Sequence, residues 1–151
     1  MSIDQIIETL NQFVPFPEDD PNNETEKYLY NLMEVWKKAE EKEKAIASIF
    51  GLMEKYPHAD FGSPGPLVHA LESLGVKKYE SALQISLMRK PVALTIWMYN
   101  RIINVEKNPA IIKAHISRLQ LFAQHPFADA ETKEEAEGFL DFQRRRLQSL
   151  R

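Results

Sequence analysis

The chain has 151 residues, 44% of them apolar and 27% charged, with a formal net charge of −3 and no cysteine. With a mean hydropathy of −0.39, that balance excludes a membrane protein and a disordered tail. The absence of thiols excludes a disulfide framework, a thiolate zinc site, an iron–sulfur cluster and a cysteine nucleophile. The length suits one domain over residues 1–151, large enough to bury about two-thirds of its unfolded surface. The first residues, MSIDQIIETLNQF, carry acids instead of a basic leader region, which predicts no signal peptide. Apolar stretches such as Pro91 to Tyr99 fall well short of the roughly 20 residues that span a bilayer. A cytoplasmic location with no membrane partner is the expectation.

In chain order, Ile3, Ile6, Ile7, Leu10 and Phe13 or Val14 repeat at three and four, with Ser2 as N-cap, which predicts a first helix. Val14-Pro15-Phe16-Pro17 ends it and an acidic loop follows to Asn23, which is placed to cap a second helix through Tyr28, Leu29, Leu32, Met33, Val35 and Trp36. Over Lys37 to Lys44 the chain either turns or continues. Ile46, Ile49, Phe50, Leu52 and Met53 then form a third apolar set that stops at Tyr56-Pro57. Gly and Pro punctuate Asp60-Phe61-Gly62-Ser63-Pro64-Gly65-Pro66 too densely for a helix. Asp60, Gly62, Ser63, Pro64 and Gly65 are therefore read as a structural loop. Ser63 or Gly65 can start the next helix, with Pro64 or Pro66 at its first position, and Gly75 can stop it in a left-handed conformation.

Beyond Gly75, Tyr79 to Met88 reads as a short helix, and Pro91 opens a long apolar one reaching Val105. Pro109 opens another to about Ala123. Glu131 to Leu150 closes the chain, acidic early and with Arg144, Arg145, Arg146 and Arg151 late, as the helix macrodipole favours. No segment alternates like a strand. The prediction is an all-α chain of about seven helices, either an irregular HEAT-like stack of helical hairpins or a multi-helix bundle. One internal echo favours repetition: Met53-Glu-Lys-Tyr-Pro-His-Ala-Asp60 parallels Phe122-Ala-Gln-His-Pro-Phe-Ala-Asp129.

Motifs that carry chemistry are sparse. The four histidines are His58, His69, His115 and His125. Glu54 and His58, or His69 and Glu72, have spacings that could share a helix face. Pro57 interrupts the first pair, and no HExxH accompanies either, so no metal and no cofactor are expected. Asp60, Ser63 and His69 invite comparison with a hydrolase, but Ser63 lacks a GxSxG setting. Pro64 also removes the N–H that would help to form an oxyanion hole, which leaves Ser63 better suited to capping a helix. The GSPGP segment has too few free amides to cradle a phosphate, and nothing in the loop around Asp19 and Asp20 would raise a carboxyl pKa. The expectation is a protein with no catalytic residues.

Charge is distributed unevenly. Residues 1–60 carry 13 acids against 6 bases, whereas residues 61–130 carry 4 against 8. Glu18, Asp19, Asp20, Glu24 and Glu26 lie close together, and Glu40, Glu41 and Glu43 follow. Such a surface repels nucleic acid and steers a basic partner; a solvated face without a partner is the alternative. On the helix opened by Pro91 a broad apolar arc leaves a stripe of Ala93, Trp97, Asn100, Arg101 and Asn104. Trp beside Arg is the composition of an interface anchor, so Trp97, Asn100, Arg101 and Asn104 join the acidic residues as candidate partner contacts. The alternative has the polar members satisfying carbonyls of the GSPGP loop.

The segment from Tyr56 to Glu72, with Ser86-Leu-Met-Arg-Lys-Pro91 and Trp97-Met-Tyr-Asn-Arg-Ile-Ile-Asn104, resembles small all-helical immunity proteins of bacterial polymorphic-toxin systems, including contact-dependent growth inhibition. The resemblance covers about the middle third of the chain. It implies a non-catalytic protein that binds a cognate toxin domain in the cytoplasm. A helical-repeat adaptor using the Trp97/Arg101 stripe is the other reading.

Overall fold

The first helix shows how locally this chain is specified. Ser2 Oγ accepts from the Gln5 amide at 3.2 Å, and Gln5 Oε1 accepts from the Ser2 amide at 2.8 Å, a reciprocal capping box that satisfies two otherwise orphan donors. The computed structural model describes residues 1–17 and 20–150; Glu18, Asp19 and Arg151 lie outside the described residues. Among those residues there are eight α-helices and one 3-10 turn and no strand: α1 (Ile3–Gln12), α2 (Glu24–Lys37), the 3-10 turn (Lys42–Ala45), α3 (Ile46–Lys55), α4 (Pro66–Ser73), α5 (Val76–Arg89), α6 (Ala93–Val105), α7 (Pro109–Ala123) and α8 (Ala130–Ser149). The all-α class is as the periodicity predicts. Among the described residues no helix is long and apolar enough to cross a membrane.

The chain groups into two compact units, Met1–Ala82 and Leu83–Arg151. In the first, α1 packs on α3 and the 3-10 turn, and α2 packs on α4. Ile6, Leu10, Leu29, Met33, Trp36, Ile49, Phe50, Met53, Leu67 and Leu71 are fully buried. Each such side chain contributes about 1.5–3 kcal/mol relative to exposure. The Lys37–Lys44 stretch turns: Trp36 Nε1 donates to the Lys42 carbonyl at 2.7 Å, giving the buried indole its polar partner and tying the end of α2 to the 3-10 turn.

In the second unit α6, α7 and α8 pack pairwise on one another, around Ile96, Tyr99, Ile103, Ile112, Leu119, Ala136 and Leu140. Its core includes a polar pair, Tyr99 Oη and His115 Nδ1 at 2.7 Å. The Tyr99 ring also meets Phe122 edge-on at 5.5 Å, a favoured aromatic geometry.

Several expectations are corrected by the backbone. Asn23 stands in the left-handed region, with φ 54°, and makes no capping bond. Asp20 caps α2 in its place. Of the two starts read for α4, the structure takes Gly65 as N-cap with Pro66 in the first turn, and Ser63 is exposed outside it. Helix α5 begins at Val76, directly after Gly75 with φ +91°, instead of at Tyr79.

Candidate partner-binding surface

The acidic segment and the Gly/Pro loop, 40 residues apart in sequence, come together in the first unit because α2 packs on α4. Asp20 starts the construction. Its Oδ1 accepts from the Glu24 amide at 2.8 Å and its Oδ2 from the Thr25 amide at 3.0 Å. The Thr25 and then the Glu24 amide hold the Asp20 carboxyl below the ordinary value of 3.8, since bonds donated to a carboxylate favour its charged form. Thr25 Oγ1 in turn accepts from the Phe16 amide at 2.9 Å. The Pro-Phe-Pro segment is thereby clasped to the first turn of α2.

Across from it, Asp60 Oδ1 accepts from the Gly62 amide at 3.0 Å, folding the chain tightly before α4. Gly62 and Gly65 both have positive φ, +106° and +92°. A Cβ on Gly65 would stand 1.7 Å from the Phe61 carbonyl oxygen, and one on Gly62 would stand 3.2 Å from Glu26 Oε1. A Cβ on Gly62 would also stand 2.5 Å from Gly65 Cα, so only glycine fits either position, and the second places the Glu26 carboxylate directly against the loop.

The result is a cleft of about 650 Å³ whose walls include Phe16, Asp20, Glu26, Tyr56, His58 and Asp60. A hollow of about 400 Å³ adjoins Glu26, Tyr30, Ser63 and His69, and one of about 420 Å³ adjoins Glu26, Lys27 and Tyr30. Glu26 lines all three. Phe16 and Tyr30 on their walls are exposed, Tyr30 at 57%; exposed Tyr28 stacks on Phe13 at 5.2 Å, and Glu24 stands in solvent on the first turn of α2. Carboxylates interleaved with exposed aromatic rings can pair Lys or Arg side chains and stack on them. Sequence reasoning placed the acids but missed Phe16, Tyr28 and Tyr30. The signal for the tyrosines was available, because they sit two apart and cannot both face the core. Of the predicted contacts, Glu18 and Asp19 lie outside the described residues.

The α6 stripe divides differently. Arg101 is exposed and its guanidinium lies 4.8 Å from the centre of the half-buried Trp97 ring. Asn100, read from the sequence as a partner contact, is 7% exposed; its oxygen accepts from Gln143 Nε2 at 2.8 Å, and the Asn104 oxygen accepts from the same atom at 2.6 Å. The polar members of the stripe thus bond to α8, which corrects the expectation that they satisfy carbonyls of the GSPGP loop. Arg146 completes the network. It donates to Gln143 Oε1 at 3.1 Å and to the Ile103 carbonyl at 3.0 Å, and it also bonds the Glu106 carbonyl. A cation there meets the negative end of the α6 dipole.

Among the described residues no group of three or more His, Cys, Asp or Glu is placed to hold a metal ion. Asp60 serves the Gly62 amide, while Ser63 and His69 line the hollow beside Glu26. No family model, curated protein or solved structure matches the chain.

Proposed function

We propose that this protein is a non-catalytic immunity protein that neutralises a cognate bacterial toxin domain in the cytoplasm by binding it. The observation that supports the reading is the gathering of Asp20, Glu26 and Asp60 around exposed Phe16, with exposed Tyr30 beside Glu26 in the adjoining hollows. Acids give long-range attraction to a basic cleft, and aromatic rings give the short-range anchoring that slows release. A nuclease toxin, with its basic nucleic-acid cleft, is the partner class such a surface suits. The test asks whether the adjacent gene encodes a toxin domain and co-expresses the two; an adjacent gene without such a domain counts against the reading. Growth should be restored by the wild-type protein and lost with Glu24→Lys/Glu26→Lys while the variant remains folded. Equal protection by both would refute the surface, and no protection by either would refute the function.

The exposed Arg101 stacked on Trp97 favours a second reading, a helical adaptor for another protein or peptide. Its binding should survive charge reversal at Glu24 and Glu26 and fail with Trp97→Ala.

A further inference from the structure

A separate groove of about 700 Å³ lies between α6 and α8 in the second unit. One wall is Asn100 and Asn104, one helical turn apart. The other is a single stripe of α8 running from Glu131, Glu134 and Glu135 through Gly138 to Phe139 and Phe142. These positions follow the i, i+3, i+4, i+7 pattern of one helix face. The stripe spans 12 residues, and its 11 steps of about 1.5 Å cover about 16 Å, or three turns of a facing helix.

The network beneath determines what the groove presents. Arg146 can only donate, so Gln143 must turn its oxygen to Arg146 and its amide nitrogen to Asn100 and Asn104. Both asparagines must then offer their oxygens inward, which leaves their Nδ2 groups as the donors on the groove wall. Toward one end the floor is aromatic, with Phe142 48% exposed. Toward the other it is acidic, and the groove is lined by no Lys or Arg.

Gly138 supplies the remaining argument. Glycine is the poorest helix former after proline, yet it stands in the middle of α8. A Cβ there would meet nothing within 4 Å, so the packing of this chain does not require it. Its lack of a side chain keeps the middle of the groove open, where a second backbone could approach α8 closely.

We propose that the α6–α8 groove docks a basic, amphipathic helix of a partner protein, its apolar face on Phe139 and Phe142, its backbone crossing Gly138 and its Lys or Arg side chains meeting Glu134 and Glu135. The occupant is fixed by charge complementarity with the acidic end and by the three-turn length of the α8 stripe. This site is distinct from the surface at α2 and does not depend on the immunity reading.

The test titrates the full-length protein into a fluorescein-labelled synthetic 15-residue helix bearing Leu on one face and Lys on its flanks, and into the same peptide with Glu for Lys. The Lys peptide should bind, and the Glu peptide should bind weaker by about tenfold or more. Gly138→Leu should raise the melting temperature, because it improves the helix, yet weaken the Lys peptide by about tenfold or more. Glu134→Lys/Glu135→Lys should weaken it similarly. Equal affinity for the two peptides, an affinity indifferent to Gly138→Leu, or no binding by the wild type would overturn the proposal. So would a self-association that Gly138→Leu abolishes in a protein that ignores the peptide, since a second copy would then be the occupant.

Discussion

At Tyr56–Ala59 and again at His125–Ala128 the chain makes the same turn after a helix. Proline is the second residue in both, and the fourth amide bonds the first carbonyl at 3.1 Å in each, Ala59 to Tyr56 and Ala128 to His125. An aspartate follows both times, and there the two part. Asp129 accepts from the Thr132 amide at 2.8 Å and starts α8 at once. Asp60 bends onto Gly62 instead, and the chain takes five more residues to reach α4 at Pro66. The difference lies in what comes next: Ala130-Glu131-Thr132 can enter a helix, whereas Phe61-Gly62-Ser63-Pro64-Gly65 cannot. One turn spends its aspartate on stability, and the other sets up a loop against which Glu26 and the α2 surface are arranged.

Substitutions can break this contrast, and the loop side should break hardest. Gly65→Ala forces a Cβ into the Phe61 carbonyl and should cost about 3 kcal/mol in chemical denaturation. On the helix side, Asp129→Ala removes an N-cap and should cost about 1 kcal/mol. Asp60→Ala should cost less, about 0.5 kcal/mol, because it loses a single exposed loop bond; equal losses at Asp60 and Asp129 would erase the distinction drawn between the turns. The smallest effect is a pH dependence. Asp20 is held below 3.8 by the Thr25 and Glu24 amides, so its contribution is complete above that value and is lost as pH falls through the lower folded-state pKa. The stability gap between wild type and Asp20→Ala should therefore persist at neutral pH and close in strong acid, which thermal unfolding at the two pH values would read.

The helical ends were legible wherever a breaker or cap acts within a few residues. Lys55 before Pro57, Gly75, Val105, Pro109 and Ala123 all mark boundaries close to those read from the sequence. The α2 cap was misread because Asn23 adjoins the helix while Asp20 reaches it through a turn: the Asn23 amide bonds the Asp20 carbonyl at 3.2 Å. Asp20-Pro21 was itself the turn signal. Asn100 was assigned to the outside by polarity alone. Its partner Gln143 is 43 residues away, and no local period reports a hydrogen bond across that distance. Arg146 was legible as a favourable charge late in α8, but the helix end it caps belongs to α6. Periodicity shows which face of a helix is apolar; it does not show which polar side chains find one another.

The decisive measurement has two parts: whether the adjacent gene encodes a toxin domain, and the affinity of the purified protein for that domain by calorimetry at low and at physiological salt. The account predicts tight binding by the wild type that weakens as salt rises, and binding by Glu24→Lys/Glu26→Lys that is both weaker and less sensitive to salt. Binding of the wild type that salt and both charge reversals leave unchanged would contradict it.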